Sequence, residues 1–201
     1  MITRKILSPP LAEPRSTVES GSFSDIDFFL RQIVRGAQDG KFSQIFLSPL
    51  TQFNFLKDCS RVLLRQAFAD LIGRDRSMNR SQSTFLVTRF DHKTVGAMLV
   101  EAQPNESAPT LLFIRYVVVD PAWQRRGIGT RLLSEVLAHA PLSNVVHCEC
   151  SPNAIGMTKI LLNSGFKLIK PATKIGQFSQ PNLFEYRGGK KVKNLAPKVW
   201  A

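Results

Sequence analysis

The stretch Tyr116-Val117-Val118-Val119-Asp120-Pro121-Ala122-Trp123-Gln124-Arg125-Arg126-Gly127-Ile128-Gly129-Thr130-Arg131-Leu132-Leu133 decides how this chain reads. Its β-branched run ends at Pro121, which has no N–H for a strand ladder. Two arginines and two glycines follow, after which Leu132, Leu133, Val136, Leu137 and Ala140 recur at helical spacing. The first four N–H groups of a helix lack intrahelical partners, its dipole is positive at that end, and glycine lets a backbone approach an anion closely. The segment therefore predicts a strand, an anion cradle and a buried helix. It lacks the Gly-Lys-Ser/Thr ending of a P-loop, and it follows an antiparallel strand, unlike the βαβ setting of a dinucleotide fingerprint.

Working outward, Thr84 to Phe90, Thr94 to Ala102 and Thr110 to Asp120 are β-branched and aromatic, and short polar segments separate them. They predict three antiparallel strands. Before them, Phe28, Phe29, Ile33 and Val34 mark a helix that is capped near Ser24, Asp25 and Asp27 and ends by Gly36 and Gly40. A second helix is predicted over Thr51 to Ile72, from Phe55, Leu56, Val62, Leu63, Leu64 and Phe68, with Gly73 as its stop. Downstream come a strand at Val145 to Cys150, a helix at Ile155 to Asn163 closed by Gly165, and strands at Phe166 to Ile169 and Leu183 to Arg187. Residues 1–21 read as a mobile arm with at most a short strand around Arg4 to Leu7, residues 22–188 as one folded domain, and residues 189–201 as a basic tail.

A chain of 201 residues with 43% hydrophobic residues suits a single domain with a real core. Its apolar runs fall far short of the 18 or so residues of a membrane span, and Met1 to Pro10 holds no secretory apolar core. Cys59, Cys148 and Cys150 are too few for a disulfide framework and point to a reducing compartment, the cytoplasm. Within His147-Cys148-Glu149-Cys150, strand alternation turns His147 away from both cysteines, so no metal is expected. The net charge is +12, and from Lys170 onward seven basic residues face Glu185 alone. That field attracts nucleic acid, phosphorylated cofactors or acidic surfaces, although Lys190-Lys191-Val192-Lys193 also reads as a solvated end.

Gln124-Arg125-Arg126-Gly127-Ile128-Gly129 resembles the pyrophosphate loop of the GNAT superfamily of N-acetyltransferases, Gln/Arg-x-x-Gly-x-Gly/Ala after a strand ending in Val-x-Pro. A second family element, an Asn after a strand, then a helix, then Gly-Phe, is matched by Asn153 through Gly165-Phe166. The resemblance spans about Ser22 to Arg187. It implies an α/β fold of the α+β type, with a mixed, mostly antiparallel central sheet, flanking helices and splayed central strands. It also implies acetyl-CoA as co-substrate and direct acetyl transfer to a primary amine. The acceptor is open between a protein N-terminus, a lysine, aminoacyl-tRNA and a small amine, with the basic surface tilting towards a macromolecule. By the same resemblance, the backbone of Val117, Val118 and Val119 meets the pantetheine amides. Gln124, Arg125, Arg126, Gly127, Ile128, Gly129 and Thr130 hold the pyrophosphate, and Asn153 and Lys159 sit beside the cofactor's far arm.

Some positions depart from the family pattern. Phe113 and Arg115 stand where members often carry Glu, so the base is sought in Glu149 first and Glu101 second. Leu161 stands where many members place the Tyr that protonates the thiolate. Arg115 and Tyr116 are expected beside the acceptor, with Arg115 either meeting an acidic acceptor group or pairing with Glu101. The Asn153–Gly165 spacing is one residue longer than usual, which leaves the facing of Glu149 open by one position. A member that binds acetyl-CoA without turnover, or a basic interaction module, is the alternative reading.

Overall fold

A computed structural model describes residues 17–71, 83–103, 111–140, 145–175 and 178–188. The strand expected near Arg4 and the basic tail lie outside them. In chain order the elements are β1 (Thr17–Ser20), α1 (Ile26–Gln38), α2 (Pro49–Leu71), β2 (Thr84–Phe90), β3 (Lys93–Gln103), β4 (Leu111–Val119), α3 (Ile128–His139), β5 (Val145–Cys150), α4 (Ile155–Asn163), β6 (Lys167–Lys170), β7 (Thr173–Ile175), β8 (Phe178–Gln180) and β9 (Asn182–Arg187). Seven strands form one sheet in the order β1-β2-β3-β4-β5-β9-β6, and β7 pairs with β8 separately. The sheet thus begins at Thr17, inside the segment read as an arm.

All pairings in the large sheet are antiparallel except β4 with β5. That parallel pairing joins only Leu111–Ile114 to Val145–Cys148, so the strands part beyond Ile114 and Cys148. The sheet is mixed and open, with a fork between its two central strands.

Two apolar layers hold it. On one face Val95, Met98, Ile114, Leu132, Leu133, Val136, Val146, Cys148 and Leu161 pack under α3 and α4. On the other, Phe29, Ile33, Phe55, Cys59, Phe85, Val87, Ala97 and Val118 pack under α1 and α2. Gly96 of β3 makes the first layer close, because a Cβ there would meet Ile128 Cγ2 at 2.6 Å. The start of α3 can therefore sit directly on the sheet.

β3 and β4 slip in register between Leu99, opposite Tyr116, and Val100, opposite Ile114. Arg115 is the extra residue of this bulge, which reverses facing along β4. Ile114 belongs to the α3 layer and Val117 and Val119 pack against it, whereas Tyr116 and Val118 pack on the α1 and α2 side.

The entry to α1 is fixed by a buried carboxylate, not by Ser24 as the sequence suggests. Asp25 Oδ2 accepts hydrogen bonds from the Ser22 backbone N–H at 2.8 Å, the Ser22 hydroxyl at 2.7 Å and Arg89 at 2.7 Å. Its Oδ1 accepts from the Thr94 hydroxyl at 2.5 Å. Arg89 also pairs with Glu19, so one cluster joins β1, β2, β3 and the helix start.

Candidate functional site

The C-terminal half of β4, the loop after it and the N-terminus of α3 form one continuous polar rim on the fork. Asp120 sends its N–H to Val95 in β3 at 2.9 Å. Because N–H and C=O directions alternate along a strand, Val118 also turns its groups to β3, while Val117 and Val119 turn theirs into the gap. There the Gln124 side chain donates to Val119 O at 3.1 Å, closing the loop onto the strand end. Val117 therefore offers its backbone to the fork, and Gln124 acts as a clasp.

Beyond the clasp residues 124–125 form a turn, and the backbone N–H groups of Ile128, Gly129 and Thr130 precede the first bond of α3, which Arg131 donates to Gly127 O at 2.9 Å. Arg125 has φ +62° and Gly127 φ +78°, on either side of Arg126. Left-handed residues alternating with ordinary ones turn successive N–H groups towards a shared point, which is an anion nest. Holding a non-glycine residue such as Arg125 there costs about 1 kcal/mol, an expense expected where the loop shape itself matters. Nothing lies within 4 Å of a Cβ built on Gly127, so the mouth of the nest is open. Gly129 has a different job: a Cβ there would meet Ile160 of α4 at 3.2 Å, so it permits close packing. Arg126 lies over the Trp123 ring at 4.9 Å, and Trp123 packs against Phe90 with centroids 4.3 Å apart and the rings tilted by 48°, which steadies one guanidinium beside the nest.

Across the fork, β5 carries Cys148 and Cys150 in the α3 layer, and both are buried. Glu149 faces the opposite way and is exposed, with no partner for its carboxylate among the described residues. It stands one residue past the last β4–β5 pair. Glu101 lies opposite Phe113, as the hairpin register predicts, but Arg115 Nε donates to its carboxylate at 2.5 Å. Of the two expectations for Arg115, the ion pair with Glu101 is the one formed. Tyr116 sits among Phe29, Phe42, Phe46 and Phe55, at centroid distances of 5.4 to 6.3 Å. Burial pushes its phenol above the usual range.

The remaining candidates lie at the far rim. Asn153 donates its side-chain amide to Gly40 O at 3.2 Å, and the Ser151 hydroxyl donates to the same carbonyl at 3.2 Å. The turn after α1 is thereby tied to the end of β5. Lys159 on α4 is exposed. Burial raises the Cys59 thiol to about 12 and pushes Cys148 and Cys150 up as well, so none of them is a ready nucleophile. His147, which the sequence offers only as a metal ligand to discount, lies on the same face as Glu149 and is hydrogen-bonded to Glu185. The contact joins residues far apart in sequence, and no local pattern signals it.

Comparison with known proteins matches this architecture. A candidate acetyltransferase from Salmonella typhimurium, solved with its cofactor acetyl-CoA, is 14% identical, with a TM-score of 0.59 over 92% of this chain and 99% of that one. A GNAT-family acetyltransferase from Streptococcus pneumoniae is 13% identical, with a TM-score of 0.61 over 87% of this chain and 100% of that one. An N-acetyltransferase from Thermoplasma acidophilum in complex with coenzyme A is 15% identical, with a TM-score of 0.54 over 86% and 99%. No curated protein matches the chain. The family model described as acetyltransferase (GNAT) matches residues 50–161, more than half of the sequence and the segment that holds the fork and its loop. The chain belongs to the acetyltransferase (GNAT) family.

Proposed function

We propose that this protein transfers an acetyl group directly from acetyl-CoA to a primary amine, with a protein N-terminus or a lysine as the acceptor. The observation that carries the reading is the fork itself, whose β4 edge leads, past the Gln124 clasp on Val119 O, to the loop and the open first turn of α3. Such an edge suits an extended, amide-containing arm that ends in a pyrophosphate. In this reading Val117 pairs with the pantetheine amides, residues 125–130 hold the pyrophosphate, and Arg125 and Arg126 add charge. Lys159 serves the far arm, while Asn153 holds the rim through Gly40.

Glu149 takes the proton from the attacking amine. Its carboxylate is unpartnered beside the fork, whereas a proton reaching Glu101 would have to break the pair with Arg115. A net charge of +12 does not suit polycationic acceptors, and it supports an acceptor whose surface is acidic around the amine.

The test is thiol release from acetyl-CoA in the presence of peptides with a free N-terminus, of N-blocked peptides containing lysine, and of small amines. Release that depends on one of the peptide classes is expected. Release with small amines alone would overturn the macromolecular acceptor, and none with any amine would overturn the transfer.

A further inference from the structure

The position at which many family members carry a thiolate-protonating Tyr is Leu161 here, and it is fully buried in the α3 layer. A proton donor must therefore come from elsewhere, and β5 offers one. His147 and Glu149 lie two residues apart on the same face, opposite the buried cysteines. His147 Nε2 lies 3.0 Å from Glu185 Oε2, and Arg187 Nε donates to Glu185 Oε1 at 2.6 Å. The hydrogen bond from Arg187, then that from His147, holds the Glu185 carboxyl below its usual range.

An ionised carboxylate only accepts, so Nε2 must carry the hydrogen and the neutral ring keeps its lone pair at Nδ1. The His147 and Glu185 side chains are 19% and 16% exposed, which leaves them reachable yet shielded. The other charged groups around the ring are Lys167 of β6, opposite Glu185, and Glu149 on its own strand. From β4 and β3 come Arg115, which lies over the neighbouring Phe113 ring, and Glu101 opposite Phe113. Of the three imidazoles in the chain, His92 lies in the β2–β3 turn and His139 in the last turn of α3, so His147 alone lies on β5, opposite Phe113 and one pair before the fork opens.

We propose that His147 is the acid that protonates the departing coenzyme A thiolate, with Glu185 as its positioning residue. The proposal rests on the acetyl-transfer reading above. As the amine nitrogen bonds to the acetyl carbon, the C–S bond breaks and its electron pair goes to sulfur. The amine proton passes to Glu149 and, through water, to His147 Nδ1. Side chains two residues apart on a strand are separated by about 7 Å, a gap that one water can bridge. The imidazolium, balanced by Glu185, then gives that proton to sulfur, forming the thiol and restoring the neutral ring. No net proton is gained or lost.

The experiment compares His147→Ala, Glu185→Gln and Tyr116→Phe with the wild type, measuring kcat, acetyl-CoA affinity and the effect of added imidazole. His147→Ala is expected to lower kcat by about 100-fold with acetyl-CoA affinity unchanged, and imidazole is expected to restore part of the rate. Glu185→Gln should lower kcat without raising KM for acetyl-CoA. Three results overturn the proposal: an unaltered kcat in His147→Ala, a loss that imidazole does not restore and that acetyl-CoA affinity shares, or a loss confined to Tyr116→Phe. If the wild type binds acetyl-CoA and acetylates no amine, the transfer reading fails, and this inference fails with it.

Discussion

Glu149→Gln is expected to lower kcat by about 100-fold, within the usual contribution of a positioned proton acceptor. The acetyl-CoA affinity should stay unchanged, because Glu149 lies on β5 away from the nest of residues 125–130. The argument rests on what each carboxylate already does. Glu101 is committed to Arg115 at 2.5 Å, and Glu185 is shared between His147 and Arg187. Glu149 has no such commitment among the described residues. Glu101→Gln should therefore slow turnover less than Glu149→Gln. The reverse order in steady-state kinetics would exchange their roles.

The second large effect concerns stability. Asp25→Ala removes the acceptor of four hydrogen bonds and leaves Arg89 and Thr94 turned towards an apolar side chain. Arg89 keeps Glu19, so the cost is that of buried donors left without their acceptor, about 2 kcal/mol, which in a chain of this size is roughly 6 °C in Tm. Burial alone would raise the Asp25 carboxyl, but the hydrogen bonds from Ser22, Thr94 and Arg89 outweigh it, and the net position lies below the usual value. A carboxylate lowered by folding contributes its stability above the unfolded pKa of about 4 and loses it as pH falls through the folded one. Thermal melts of the wild type should therefore weaken through that acid range, and Asp25→Asn should flatten this part of the dependence. An unchanged acid limb in Asp25→Asn would remove Asp25 from the account.

Long, strongly patterned elements were legible in the sequence. Val145 to Cys150 and Ile155 to Asn163 fall where strand alternation and the Gly165 stop place them, and the strands from Thr84 to Val119 lie within a residue of their expected ends. Short elements carry too few residues to show a period, so β1 at Thr17–Ser20 and the three-residue β7 and β8 were not readable. The cap read at Ser24 gives way to the Asp25 carboxylate, whose partners Arg89 and Thr94 lie far along the chain where no local pattern shows them.

At the site, the shape of the loop was legible because it is local: two glycines, two arginines and a helix start. The resemblance carried the splayed strands, but local pattern did not show where they part, since periodicity tells which face a side chain takes and not which neighbour a backbone leaves. The Arg115 bulge, which reverses facing along β4, has no sequence mark either. The His147–Glu185 contact joins two strands that become neighbours only in the folded sheet.

The central claim is that residues 125–130 and the free edge of β4 hold acetyl-CoA. It is tested most directly by the thermal unfolding midpoint with and without acetyl-CoA, in the wild type and in Gly127→Asp. That substitution puts a side chain at φ +78° and a carboxylate at the open mouth of the nest. A ligand present at about 100 times its Kd stabilises the native state by roughly 2.7 kcal/mol. The account predicts a rise in midpoint for the wild type and none for Gly127→Asp. The same rise in both proteins, or none in the wild type at millimolar acetyl-CoA, would contradict it.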